Sequence, residues 1–169
     1  ISGPLTGFLV AIPVCLIGLY LTQLNPIIPT AESESFTIIY PLLLQGISNF
    51  FTIPPDAVIH PTLFAFWVGL FLTSVQLLPI GQLDGGHVSR ALLKDKAKYT
   101  GYIVIGAVLI MGLFYTGWLF FAFIILFLIG TQHQPPLNEF TPLDNKRKIL
   151  AIIAFIVFII CFAPIPMSA

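Results

Sequence analysis

Gln76-Leu-Leu-Pro-Ile-Gly-Gln-Leu-Asp-Gly-Gly-His87 closes a long apolar run with one carboxylate and two glycines. Asp84 is the only acid between Thr62 and His87. A carboxylate at membrane depth is costly unless it is paired, protonated or bound to a metal, so by default it marks a functional position. Taken from the residues alone, the segment has two readings. Asp and Gly at this spacing make a turn, in which the Asp side chain can accept from the open N–H groups of a following helix. Alternatively, Asp84 is the oxygen donor of a tetrahedral zinc site whose other protein ligands are histidines. The glycines then let backbone or substrate approach closely.

The chain around this segment is built for lipid. Of its 169 residues 57% are hydrophobic and 8% charged, and the mean hydropathy is +1.00, whereas a soluble domain is about a quarter charged. The expected fold is all-α, a multi-spanning transmembrane helical bundle whose regular helix is broken near Pro79–Gly86. Net charge is zero, yet all seven basic residues fall in two clusters, Arg90/Lys94/Lys96/Lys98 and Lys146/Arg147/Lys148. Each lies beside an apolar run, as orienting loop charges do. The patches are small and belong to no recognisable binding module, so no nucleic-acid partner is expected. Cys15 and Cys161 lie in apolar stretches without metal-ligand spacing and read as small buried hydrophobes.

Working outward, Leu5 to Leu24 has the length and lack of charge of a first span, opened by Ser2-Gly3-Pro4 and carrying a kink-prone Pro13. Asn25 to His60 contains prolines and acids but no Lys or Arg, and is expected to face away from the cytoplasm. Within it, Phe36 to Phe51 is interrupted by Pro41 and Gly46 and reads as interfacial or re-entrant. Thr62 to Leu78 is a second apolar run, and Pro79 and Gly81 interrupt the helix ahead of Asp84. His87 to Lys98 reads as an amphipathic surface helix with Val88, Ala91 and Leu92 on one face. Residues 101–130 are uncharged and fit one tilted helix or a hairpin turning near Tyr115-Thr116-Gly117. The hairpin is favoured, because it returns the second basic cluster to the side of the first. Ile149 to Phe162 is a short last span. Trp67, Trp118 and the many Phe residues read as packing or lipid-facing groups.

The segment Gln76 to His87 resembles the C-terminal signature of the site-2 protease family of intramembrane zinc metalloproteases, in which Asn-x-x-Pro precedes an Asp-Gly pair at fixed distance. Ile1-Ser-Gly-Pro-Leu-Thr-Gly-Phe8 is similar to the Gly-Pro opening of the family's span after its first zinc motif. His60-Pro61 and Thr141-Pro-Leu-Asp-Asn-Lys146 add weaker likeness to its prokaryotic multi-spanning members. The resemblance implies a multi-pass helical bundle in the membrane and a catalytic zinc held by Asp84 and two histidines of a His-Glu-x-x-His helix. The Glu of that helix serves as general base. It also implies Gln76, Pro79, Gly85 and Gly86 as elements of the substrate groove, and a transmembrane protein segment as substrate.

Two departures accompany the likeness. No His-Glu-x-x-His occurs, because His60, His87 and His133 all have other followers. The expectation is therefore that residues 1–169 are the C-terminal transmembrane portion of a longer protein, truncated at its N-terminus, with the remaining zinc ligands in the missing segment and no catalytic residue in this one. Gln76 also stands where the family usually has Asn, with the same amide on a longer arm. His87 reads as a surface or supporting histidine, and His60 and His133 as interfacial or loop residues. An aspartyl protease would need a second membrane aspartate, and a serine protease a nucleophile motif; neither is evident. The remaining rival is a non-catalytic membrane scaffold or transporter-like protein that binds an ion or partner at the broken helix.

Overall fold

The computed structural model describes residues 2–24, 37–54, 57–130 and 144–168. The acids Glu32, Glu34 and Asp56 and the segment containing His133 lie outside them. Among the described residues are seven α-helices: α1 (Ser2–Leu24), α2 (Leu42–Ser48), α3 (Pro61–Gln76), α4 (Asp84–Leu93), α5 (Ala97–Gly112), α6 (Gly117–Ile124) and α7 (Asn145–Cys161). A 3₁₀ turn at Lys94–Lys96 joins α4 to α5, and a π turn at Ile125–Ile129 extends α6. Two-residue strands β1 (Thr37–Ile38) and β2 (Met167–Ser168) pair antiparallel.

The uncharged α1 is 23 residues long, the one described helix long and apolar enough to cross a membrane. It runs unbroken through Pro13, whose missing N–H leaves the Leu9 carbonyl without its helical donor. The shorter apolar helices are α3, α5 and the α6 segment to Phe127. At Gly18 α1 meets α3 so closely that a Cβ would lie 2.7 Å from the Leu63 nitrogen. One turn on, the Thr22 hydroxyl donates to the Gly18 carbonyl at 2.8 Å and accepts from the His60 N–H at 3.0 Å. His60 caps α3, its Nδ1 accepting from the Thr62 N–H at 3.2 Å, and Pro61 fills the first helical position, where its missing donor costs nothing. The C-terminal end of α1 therefore sits beside the N-terminal end of α3.

Leu63, Phe66, Trp67 and Leu70 face the core from α3 at helical spacing, meeting Cys15 and Leu19 of α1, Leu44 of α2 and Ala154, Val157 and Cys161 of α7. Both cysteines are free and buried in this cluster. Two indoles tie loops to helices: Trp67 Nε1–H donates to the Ile39 carbonyl at 3.1 Å, and Trp118 Nε1–H donates to Pro164. Ile39 N–H in turn donates to the Pro166 carbonyl at 3.2 Å, so the chain leaving α7 lies against the segment that precedes α2.

Three expected boundaries shift. The amphipathic helix expected at His87–Lys98 begins at Asp84 and ends at Leu93, because the glycines join the helix and Lys94 takes a left-handed φ of 51°. Ala97 to Thr100 instead open α5. Residues 101–130 do form a hairpin, with the turn at Leu113–Thr116. The last helix starts at Asn145 rather than Ile149, since Lys and Arg are good helix formers where exposed. In the stretch read as interfacial or re-entrant, α2 spans only seven residues.

Candidate metal centre

Helix α3 stops at Gln76 and the chain folds through tight turns before α4 restarts at Asp84. The Leu77 N–H still reaches the Thr73 carbonyl at 3.1 Å, the Ile80 N–H donates to Leu78 at 2.8 Å, and the Leu83 N–H donates to Ile80 at 3.2 Å. Pro79 cannot donate, and Gly81 takes φ 53°, which a side chain would resist. Leu77, Leu78, Pro79, Ile80 and Gly81 are all buried. Leu78 and Ile80 pack on Ile125, with Val104 and Ile105 of α5 and Phe158 of α7 around them. These neighbours lie inside their helices, so the break in α3–α4 is in the interior of the bundle rather than at its surface.

Gly85 and Gly86 are what lets α4 start here. A Cβ on Gly85 would collide with the Leu77 carbonyl and stand 2.6 Å from the Leu78 oxygen. One on Gly86 would collide with the Gly81 oxygen and stand 2.6 Å from that of Ile80. The close approach foreseen for the two glycines is thus made by the chain's own backbone. Ser89, fully buried, donates to the Gly85 carbonyl at 2.9 Å. From the sequence Ser89 is weighed only as a nucleophile and set aside; its bond to Gly85 is not foreseen, although a Ser four residues after a glycine is a recognisable back-bonding pattern.

Asp84 is the first residue of α4, and the N-cap is Leu83, which provides no side-chain acceptor. Asp84 is therefore not the capping residue that the turn reading made it. Asp84 is half-buried as a residue, and nothing among the described residues hydrogen-bonds or ion-pairs with its carboxylate. The helix dipole favours an anion at this position, and a carboxylate with uncommitted lone pairs is the chemistry a zinc site requires of an oxygen ligand. The described residues bring no second and third ligand to it: no group of three His, Cys, Asp or Glu is assembled among them. His60 is at the far end of α3, serving as its cap. His87 is exposed one turn beyond Asp84. The residues fit zinc to the extent of one ligand.

Among the residues assigned to a substrate groove, Gln76 alone presents an exposed side chain, at the last position of α3 beside the break. Pro79, Gly85 and Gly86 are buried and shape the junction itself.

The chain, helical in its described residues apart from one short strand pair, matches the profile of Peptidase family M50 over residues 1–115, and it belongs to that family. This is the site-2 protease family that the segment around Asp84 resembles. The chain is 26% identical to the probable zinc metalloprotease EGY1, chloroplastic, of Arabidopsis thaliana, covering 98% of this chain and 31% of that protein. It is 27% identical to the probable zinc metalloprotease EGY3, chloroplastic, of Oryza sativa subsp. indica, covering 96% of this chain and 24% of the relative. The chain thus spans a third or less of the relatives it matches. No solved structure matches it.

Proposed function

We propose that this chain is the C-terminal membrane portion of a multi-pass intramembrane metalloprotease that cuts transmembrane protein segments, and that Asp84 is its zinc ligand. The observation that carries the reading is Asp84 itself: half-buried, at a helix break packed inside the bundle, and without a partner for its carboxylate among the described residues. Membership of a peptidase family and relatives named zinc metalloproteases support it. The two histidines and the general base come from a segment outside residues 1–169, in keeping with the fraction of each relative that the chain covers.

When bound, zinc supplies Lewis-acid polarisation of a peptide carbonyl and a nucleophile at neutral pH. The chain's own residues supply position. The contact of Gly85 and Gly86 with the Leu77–Gly81 turn fixes the start of α4, and with it the Asp84 carboxylate. Packing of Leu78 and Ile80 against α5, the π turn and α7 keeps water from the back of the junction. Gln76, exposed beside the break, offers an amide donor and acceptor to the backbone of an extended substrate.

The test is cleavage of a transmembrane substrate by full-length protein in detergent, wild type against Asp84→Asn and Gln76→Ala. Loss of activity in folded Asp84→Asn, with a smaller loss in Gln76→Ala, is the expected result. Wild-type protein without zinc or activity would overturn the protease reading in favour of a membrane scaffold.

A further inference from the structure

We infer that the end of the bundle bearing the α4–α5 junction and the first turns of α7 is a docking surface for anionic lipid headgroups. The inference rests on the chain lying in a bilayer and is independent of proteolysis.

Topology brings the two basic clusters to one end. Val104 of α5 packs in both clusters, but Ile105 packs only with Leu78 and Ile80, whereas Val108 and Met111 pack only in the cluster that holds Phe71, so α5 runs antiparallel to α3. Phe158 of α7 lies beside Leu78, whereas Pro166 beyond it is bonded to Ile39, which Trp67 holds, so α7 is antiparallel to α3 as well. The N-terminal ends of α5 and α7 therefore lie on the same side, beyond the Leu77–Leu83 break and away from the start of α3.

Charge and surface chemistry then select the occupant. Lys94, Lys96, Lys98, Lys146, Arg147 and Lys148 are all exposed, with only Asp95 and Asp144 adjoining them in sequence. No Lys or Arg occurs before Arg90. Immediately beside the cations Leu93, Tyr99, Tyr102, Ile103, Ile149 and Leu150 are exposed, and the Lys98 ammonium lies 5.1 Å from the Tyr99 ring centre. Cations on long stems and phenols at the start of an outward-facing apolar helix are the chemistry of a bilayer interface. An acidic protein would meet the cations but leave these apolar sides uncovered.

The test uses full-length protein in nanodiscs of phosphatidylcholine carrying a trace of spin-labelled phosphatidylglycerol or spin-labelled phosphatidylcholine. A nanodisc offers the same lipid to both ends, so insertion direction is immaterial. Phosphatidylglycerol should associate about fivefold more strongly than phosphatidylcholine, and less so at high salt. Replacing all six cations by Gln should bring the ratio to unity, and replacing the lysines by Arg should keep it. Equal association in wild type, a preference that survives in the folded Gln variant, or competition by polyglutamate without lipid preference would overturn the inference. Loss of motional restriction for both lipids would instead count against the membrane reading.

Discussion

The carbonyl oxygen of Leu77 occupies the space in which a side chain on Gly85 would begin. The last turn of α3 and the first turn of α4 are thereby locked to each other through backbone alone, and the acid between them inherits that rigidity. A metal ligand needs to be held by its surroundings, and for the proposed role of Asp84 the holding contact would be a missing Cβ.

Gly85→Ala should accordingly be severe. The methyl group meets carbonyl oxygens rather than flexible side chains, so α4 must lift away, at a cost of about 3 kcal/mol or more. Gly106→Ala is the control, because nothing lies within 4 Å of a Cβ there and Ala favours a helix over Gly by about 1 kcal/mol. Thermal unfolding of purified protein in detergent should place the two variants on opposite sides of wild type; equal melting would refute the packing described.

The contact between α1 and α3 gives a second expectation. Gly18→Leu should separate the helices at Leu63 and lower stability by about 2 kcal/mol or more. Thr22→Val keeps the shape but leaves the His60 N–H without its acceptor, costing about 1–3 kcal/mol. Chemical denaturation in mixed micelles would check both, and an unchanged Gly18→Leu would show that the helices are not in contact at that level.

Lys94 holds φ 51° and ψ −124° at the end of α4, a positive-φ conformation outside the left-handed helical well that a non-glycine residue adopts only at a cost of about 1–3 kcal/mol. Lys94→Gly should raise the unfolding free energy by about 1 kcal/mol, because glycine enters this region freely. The Arg90 guanidinium still donates to the residue-94 carbonyl, which does not depend on the side chain. A fall in stability would contradict the assigned backbone geometry.

Much of this architecture could be read from the residues, and what escaped has physical causes. The helical class, the long apolar first helix, the hairpin and the break before Asp84 followed from charge-free lengths and from Pro79 and Gly81, which interrupt a helix in almost any context. The start of α4 was read three residues late, because Gly85 and Gly86 look like turn residues until the Leu77–Gly81 backbone is packed against them. The capping role of His60, whose Nδ1 accepts from the Thr62 N–H, was also not read, and the bond from its own N–H to Thr22, far away in sequence, was not legible. Asp84 was singled out by its isolation among apolar residues. That its carboxylate would have no partner among the described residues, with Leu83 at the cap, required three dimensions.

The central claim is that Asp84 binds zinc, and the most direct measurement is the zinc content of purified full-length protein, wild type against Asp84→Ala and Asp84→Asn, with folding checked by circular dichroism and unfolding temperature. The account predicts stoichiometric zinc in wild type and its loss, or a tenfold or greater weakening, in both variants while the helical content is unchanged. Full zinc occupancy with undiminished affinity in both folded variants would contradict it and leave Asp84 as a helix-start residue alone.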